Sequence, residues 1–214
     1  TGGEPEAVFG PILPEDYRDL QLVPDLASAV PVPGRSDRVS VICEPAGALP
    51  RPGRAALDAG ALSPRAALRR VLARLAAAGL RATVAPELEF FLVERSADGG
   101  LRPAGVPGGA GAREHALEIA SLERTAMFAP YFDALFDACA AQRIPVTGHG
   151  HESAPGQYEV NFAPGEPLAM ADAVWRFKRL ARETAVRHGF LASFIAKPFA
   201  DQPGTGMHWH ASLQ

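Results

Sequence analysis

Several features that would indicate a particular class of protein are scarce in this chain of 214 residues. Lysine occurs only at Lys178 and Lys197, and no basic cluster accompanies the formal net charge of -3. A surface for nucleic acid or anionic membranes therefore has no electrostatic support. No apolar run approaches the ~18 residues of a membrane span, and no basic-then-apolar signal region opens the chain. We expect a cytoplasmic protein that works on small molecules, with neither nucleic acid nor a membrane as a partner.

Cysteine is equally scarce. Cys43 lies in a strand-like run and Cys139 in a helix-like run. We expect both thiols to be buried and inert, and assign them no role.

Irregular stretches divide the chain. Residues 1–53 are rich in proline and turn signals, and we interpret them as the remains of a small β domain that precedes a larger domain at 54–214. Residues 99–111 are rich in glycine, and a surface loop is favoured there over a phosphate cradle because no helix start with a lysine follows. Since the chain opens without methionine and stops inside a strand-like segment, we expect a fragment.

Three segments have helical periodicity. Ser63 and Pro64 are typical of a helix start, and Gly79 is typical of a helix end. Two further helices are predicted at 131–142 and 169–188, the second with a solvated face of arginines: Arg176, Arg179, Arg182 and Arg187. Strands with one polar and one apolar face alternate with these helices, which predicts an α+β fold with a largely antiparallel sheet.

Three strand-like segments, residues 85–93, 156–162 and 206–212, alternate polar and apolar side chains. In an extended chain residues i and i+2 point the same way. Glu87 and Glu89 therefore share one face, His208 and His210 share another, and Glu159 points away from its apolar neighbours.

This concentration of carboxylates needs something to offset its charge. Two ionised carboxylates about 6 Å apart repel each other by about 3 kcal/mol at an effective dielectric constant of about 20. Solvent on an open sheet face would offset this repulsion, and so would a divalent cation bound directly. One such pair alone favours the solvated face, but three segments of this kind in one chain favour a metal site.

The three segments lie within motifs that resemble those of the glutamine synthetase family. The motifs are PELEFFL at 86–92, HESAPGQYE at 151–159, and KP at 197–198 followed by GTGMHWHASL at 204–213. The resemblance extends from about residue 20 to the C-terminus. It implies a truncated catalytic domain at 54–214, with a largely antiparallel sheet and flanking helices, preceded by part of a β-grasp domain at 1–53.

The resemblance also implies an activity and a set of site residues. Members of this family join glutamate to ammonia or an amine at the expense of ATP, through γ-glutamyl phosphate, with Mg²⁺ or Mn²⁺. One ion maps onto Glu87 and His208, and the other maps onto Glu89, Glu152 and Glu159. His210 maps onto a contact with ATP phosphate, and Gly204 onto the loop beside the substrate glutamate. Of these residues we expect Glu89 and Glu159 to be catalytic.

Elementary chemistry agrees with these assignments. A carboxylate is a poor electrophile, and phosphorylation by ATP activates it toward an amine. Phosphoryl transfer demands positioning and charge neutralisation, which divalent cations supply. Three carboxylates suit Mg²⁺ or Mn²⁺, whereas a mixed glutamate and histidine site also tolerates the softer Mn²⁺.

Neighbouring residues have simpler interpretations. We expect His151 to be a surface histidine or one that supports the ligand Glu152, His149 to lie in a loop, and Trp209 to pack in the core.

Two departures from the family pattern bear on the amine. Pro203 and Thr147 stand where ammonia-specific members typically carry asparagine and glutamate. Both weaken a strict glutamine synthetase assignment, and the local sequence slightly favours the branch that uses polyamines or other amines.

The chain stops before the arginine-rich half that in this family binds glutamate, phosphate and nucleotide. We therefore expect it to be inactive alone, and the full protein to form a ring-shaped homo-oligomer with active sites between subunits. Two alternatives stay open: a ligase for another carboxylic acid, and a non-catalytic structural or regulatory family member.

Overall fold

The computed structural model of this chain describes residues 19–51, 53–106 and 117–214. The chain divides into two compact units, Thr1–Leu80 and Arg81–Gln214. The boundary predicted from the sequence falls earlier, between residues 53 and 54. The interpretation of residues 1–53 as a β-grasp remnant stays a prediction, and its first 18 residues lie outside the described ones.

The described residues of the first unit, 19–51 and 53–80, form two hairpins and a helix. Its elements are β1 (Gln21–Val32), β2 (Arg35–Ala46), β3 (Ala48–Arg51), β4 (Arg54–Asp58), a 3-10 turn (Gly60–Leu62) and α1 (Pro64–Ala77). β1 pairs with β2 and β3 with β4, both antiparallel. The hydroxyl of Ser63 accepts a hydrogen bond from the Ala66 N–H, and Gly79 has φ +75°, so the predicted helix start and end are confirmed. Cys43 is exposed, and its predicted burial was wrong.

An ion-pair network ties the β1–β2 hairpin to α1. Arg65 donates to Asp25 at 2.8 Å and to Glu44 at 2.6 Å, and Arg69 contacts the same two carboxylates. Hydrogen bonding from Arg65 lowers the pKa of Asp25 below 3.8. Burial by itself would raise the pKa of Glu44, but the hydrogen bond and charge of Arg69 more than offset it and lower that pKa below 4.5. Both groups therefore stabilise the fold above their unfolded pKa values, and this stabilisation is lost as the pH falls through the lowered ones.

In the second unit a six-stranded sheet is built around β5 (Ala82–Arg95). The main order is β10 (Met207–Leu213), β5, β8 (Gln157–Phe162) and β7 (Val146–His151). Two short strands, β6 (Leu101–Pro103) and β9 (Leu191–Ser193), also pair with β5. Every pairing between these described strands is antiparallel, which confirms the predicted α+β class with a largely antiparallel sheet.

The core lies between one face of this sheet and the helices. These are α2 (Leu122–Met127), α3 (Ala129–Ala141) and α4 (Pro167–Arg187), so the two helices predicted at 131–142 and 169–188 are confirmed. The sheet contributes Leu88, Phe90, Tyr158 and Val160 to a cluster that also contains Phe132, Leu135, Phe177 and Leu180 from α3 and α4. Cys139 is buried in this cluster, and burial raises the pKa of its thiol to about 12. No described helix is long and apolar enough to cross a membrane.

Two expectations for this unit need correction. Arg176 is only 9% exposed, so the arginines of α4 do not all lie on a solvated face. The buried side of α4 is wider than the predicted stripe and includes residues from Pro167 to Ala185. The predicted loop at 99–111 contains strand β6, and its residues from 107 onward lie outside the described ones.

Replacement of Arg65 by methionine should loosen the β1–β2 hairpin, because two partly buried carboxylates lose a shared donor. We expect the local free energy of opening to fall by about 1–2 kcal/mol. Hydrogen exchange of β1 and β2 peptides at neutral pH measures this. Arg74→Met is the matched control, since Arg74 is exposed on the same helix and has no ion pair among the described residues. Equal exchange in both variants would show that Arg65 does not stabilise the hairpin.

Candidate metal centre

The register of three neighbouring strands brings acidic and imidazole groups together on one face of the sheet. Glu89 of β5 lies directly opposite Glu159 of β8. Glu87 lies directly opposite His208 of β10 on the other side. Because the alternate residues Leu88 and Val160 are buried in the core, the polar side chains are forced to the opposite face.

One group of potential ligands contains Glu87, Glu159 and His208, whose ligand atoms lie within 4.8 Å of one another. The Nδ1 atom of His208 lies 3.5 Å from Glu87 Oε2 and 4.0 Å from Glu159 Oε2. The exposed fraction of the side chain is 55% for His208 and 30% for Glu87. This group therefore faces solvent and is accessible to an ion or a phosphate.

A second group contains Glu89, Glu152 and Glu159, again with ligand atoms within 4.8 Å of one another. The carboxylates come from β5, from the loop after β7 and from β8. Magnesium binds oxygen at about 2.1 Å, so ligands on opposite sides of one ion are about 4.2 Å apart. The three carboxylates are thus close enough to bind one hard divalent cation, and Glu159 is common to both groups.

The clustering of these carboxylates disfavours the ionised form of Glu152. Burial raises its pKa above 4.5, and the negative charges of Glu89 and Glu159 raise it further. A divalent cation between these carboxylates would reverse that effect, since it favours the ionised form.

Glu89 is held in place from the loop before β10. The Gly206 N–H donates to Glu89 Oε2 at 2.9 Å. A Cβ atom at Gly206 would lie 2.6 Å from Glu89 Oε1 and 2.7 Å from His208 Nε2. Only glycine lets the backbone approach the two side chains this closely.

The structure also locates the residues assigned to ATP and glutamate by resemblance. His210 Nε2 lies 3.2 Å from Glu87 Oε1, and its side chain is 67% exposed. Gly204 lies in the loop before β10, where a Cβ would meet the Ala196 carbonyl at 2.6 Å. The roles of His210 and Gly204 toward ATP and glutamate stay predictions.

Three neighbouring expectations were wrong or incomplete. His149 lies in β7 rather than in a loop, and its ring stacks on Phe132 with centroids 4.0 Å apart. His151 is 2% exposed and packs edge-on against Tyr158, so it lies inside the unit on the face opposite the carboxylates. Trp209 is 40% exposed and does not pack in the core. It lies on the edge strand β10, whose seven residues are all exposed.

Sequence reasoning missed Gln157 and Asn161, which lie on the same face of β8 as Glu159. Asn161 donates to Glu159 Oε1 at 3.1 Å, and Gln157 donates to Glu89 Oε2 at 2.8 Å. The signal was available, since both residues are two positions from Glu159 and the alternation of a strand places all three on one face.

Comparisons with known proteins show which family this chain is similar to. Residues 61–214 match the family described as "Glutamine synthetase, catalytic domain". The chain is 35% identical over 156 residues to gamma-glutamylputrescine synthetase PuuA of Escherichia coli (strain K12), a match that covers 72% of this chain and 33% of that protein. It is 38% identical over 150 residues to a glutamine synthetase of Mycolicibacterium smegmatis, which covers 70% of this chain and 32% of that protein.

Solved structures show the same fold. A GmaS/ADP complex matches with a TM-score of 0.76 and 25% identity over 95% of this chain and 44% of that one. A structure described as a novel glutamine synthase homolog matches with a TM-score of 0.71 and 26% identity, over 94% of this chain and 43% of that one. The chain spans about a third of the length of the two curated relatives named above.

Replacement of Gly206 by alanine should weaken metal binding, because the added methyl group would displace the Glu89 carboxylate and the His208 ring. We expect a loss of about 10- to 100-fold in Mn²⁺ affinity, measured by electron paramagnetic resonance titration of the complete protein. Gly148→Ala is the control, since a Cβ there meets nothing within 4 Å. Unchanged Mn²⁺ affinity in Gly206→Ala would show that these side chains do not bind the ion.

Replacement of Glu152 by glutamine should stabilise the metal-free protein at neutral pH. The raised pKa of Glu152 means that the folded state holds a proton more tightly than the unfolded state, so stability falls as the pH rises from 4.5 through the raised value. Glutamine has no titrating carboxyl group, so the variant should lack this fall in stability with rising pH. It should also lose much of the stabilisation by Mn²⁺. Thermal unfolding at pH 5 and pH 8, with and without Mn²⁺, tests both expectations. A variant that Mn²⁺ stabilises as strongly as wild type would contradict the assignment of Glu152 as a ligand.

Proposed function

The chain belongs to the glutamine synthetase family, and on this basis we propose that the complete protein is an ATP-dependent ligase that joins glutamate to ammonia or an amine through γ-glutamyl phosphate. The family supports a ligase that uses ATP and divalent metal ions. Because this chain spans about a third of its curated relatives, the complete activity and its substrates are proposals.

The observation that carries the proposal is the pair of ligand groups that share Glu159. We propose that Glu87 and His208 hold one divalent ion and that Glu89, Glu152 and Glu159 hold the other. When bound, Mg²⁺ or Mn²⁺ supplies positive charge that neutralises phosphate oxygens during phosphoryl transfer. Glu89 and Glu159, the proposed catalytic residues, act by fixing where that charge lies.

The surroundings of the two groups suit the proposed substrates. His210 lies on the exposed edge strand next to Glu87, where a donor can reach a phosphate of ATP. The backbone of the loop at Gly204 and Gly206 passes beside Glu89, so a glutamate bound against this loop would lie next to the metal ligands. Both roles follow from the family resemblance and the positions of these residues.

The amine is the least constrained part of the proposal. Relatives at 35% and 38% identity include a gamma-glutamylputrescine synthetase and a glutamine synthetase, so identity alone supports both kinds of acceptor. Pro203 and Thr147 replace residues typical of ammonia-specific members, and we therefore place polyamines and other small amines ahead of ammonia.

A non-catalytic structural or regulatory role is the alternative. The two ligand groups together contain four carboxylates, and their mutual repulsion destabilises the fold. A protein with no catalytic function would gain nothing from this arrangement. The clustered acids therefore favour an enzyme. A ring-shaped homo-oligomer and a cytoplasmic location stay predictions.

The test is ADP release by the complete protein with glutamate and Mg²⁺, in separate reactions with ammonia, putrescine, spermidine, ethanolamine and a monoamine. We expect stimulation by one of these amines, because only the correct acceptor discharges the acyl phosphate and allows turnover. Glu159→Ala is the matched negative control, since it removes the carboxylate shared by both ligand groups. It should abolish turnover and leave the fold intact.

Each contrary outcome has a definite meaning. Turnover by Glu159→Ala at saturating Mn²⁺ would refute the metal role of Glu159. If the wild-type protein binds Mn²⁺ but no amine stimulates ADP release, other carboxylic acids replace glutamate in the same assay. Failure with those acids as well would support the non-catalytic alternative.

A further inference from the structure

Gln157 is a buried amide on the same face of the sheet as the carboxylates, next to Glu89. It is the first residue of β8, lies opposite Phe91 of β5, and is 1% exposed. An amide buried to this extent cannot exchange its partners for water, so each hydrogen bond it makes is costly to break.

The side chain of Gln157 joins three separate segments. Its Nε2 atom donates to Glu89 Oε2 at 2.8 Å and to the Gly204 carbonyl at 3.0 Å. Its Oε1 atom accepts from the Ala154 N–H at 3.2 Å. Two acceptors on one side and one donor on the other fix the orientation of the amide, because the flipped amide would satisfy none of them.

The backbone of Gln157 shapes the loop that carries Glu152. The Glu152 N–H donates to the Gln157 carbonyl at 2.9 Å, and the Gln157 N–H donates to the Ala154 carbonyl at 2.9 Å. The turn is completed by Gly156 at φ +72°, whose Cβ position is blocked by the Leu92 carbonyl at 2.7 Å. Gln157 thus fixes the geometry of the loop that holds one potential ligand, Glu152, and contacts a second, Glu89.

The hydrogen bonds also distinguish the two oxygens of Glu89. Oε2 accepts from both Gln157 Nε2 and the Gly206 N–H. The other oxygen, Oε1, lies 4.0 Å from His208 Nε2. Two donors hold Oε2 in place, and Oε1 is the oxygen on the side of His208. The loop from Gly204 to Gly206 is bound to this carboxylate at both ends, through the Gln157 amide and through Gly206 itself.

We propose that Gln157 is a positioning residue that couples ion binding at Glu89, Glu152 and Glu159 to the conformation of the Gly204–Gly206 loop. An ion that fixes Glu89 also fixes the Gln157 amide, and the amide holds the Gly204 carbonyl. Anything that orders the loop therefore strengthens ion binding, and the ion strengthens the ordering of the loop by the same factor. The identity of the loop ligand as glutamate rests on the proposed function, whereas the link from Gln157 to the ion does not.

The experiment uses Gln157→Met in the complete protein. Methionine has a similar length and volume but neither donates nor accepts these hydrogen bonds. Mn²⁺ affinity is measured by electron paramagnetic resonance, first with Mn²⁺ alone and then with saturating glutamate. We expect glutamate to tighten Mn²⁺ binding in wild type. In the variant, Mn²⁺ affinity should fall by about 10- to 100-fold, and the effect of glutamate should disappear.

Gln142→Met is the matched control. Gln142 is also a buried glutamine in this unit, 8% exposed, but it lies at the end of α3 and away from the carboxylate face. This variant should keep the Mn²⁺ affinity of wild type and its response to glutamate. Gln157→Glu is a second test variant in case the methionine variant folds poorly. It keeps the acceptor for the Ala154 N–H but replaces the donor to Glu89 with an oxygen, and we expect the same loss of Mn²⁺ affinity.

Several results would overturn the proposal. Wild-type Mn²⁺ affinity in a folded Gln157→Met or Gln157→Glu protein would show that the amide does not position Glu89. Weaker Mn²⁺ binding with an undiminished response to glutamate would refute the coupling to the loop. If glutamate has no effect even on wild type, the proposed substrate fails, and the Mn²⁺ titration without glutamate still decides whether Gln157 supports the ion.

Discussion

The antiparallel register of β8, β5 and β10 is the constraint on which the candidate site depends. Glu159, Glu89, Glu87 and His208 meet because their strands are paired in this register and no other. A slip of one residue would turn each polar side chain toward the core and each apolar one toward solvent. Burial of Leu88, Phe90 and Val160 against α3 and α4 makes such a slip very unfavourable. Apolar packing on one face therefore determines the placement of charge on the other.

Charge on that face is graded from the interior of the sheet to its edge. The side chain of Glu89 is 11% exposed, that of Glu159 20%, and that of His208 55%. The acidic groups on the central strands are thus the least hydrated, which makes their mutual repulsion strongest where a cation would bind. The histidines lie on the edge strand, open to a large anionic substrate. This gradient fits the proposed roles, in which Glu89, Glu152 and Glu159 hold one ion, Glu87 and His208 hold the other nearer the edge, and His210 meets phosphate.

Prediction succeeded where the signal is local. Ser63 and Gly79 mark the ends of α1 because capping and a positive φ depend only on adjacent residues. It failed where burial depends on neighbours in space. His149 is flanked by two glycines, a pattern typical of loops, yet it lies in a strand because β8 pairs with it. Arg176 is buried because α4 packs with a wider face than its apolar stripe indicates.

The sequence by itself determined which residues share a face of each strand, because side chains in a strand alternate with a period of two whatever the rest of the fold does. It therefore placed Glu87 with Glu89 and His208 with His210, and the family motifs supplied Glu152. Only the tertiary structure decided how these pairs meet. Strand register and the approach of Gly206 and Gln157 to Glu89 are contacts between residues distant in the chain, fixed by packing of the whole sheet. No local pattern encodes such contacts.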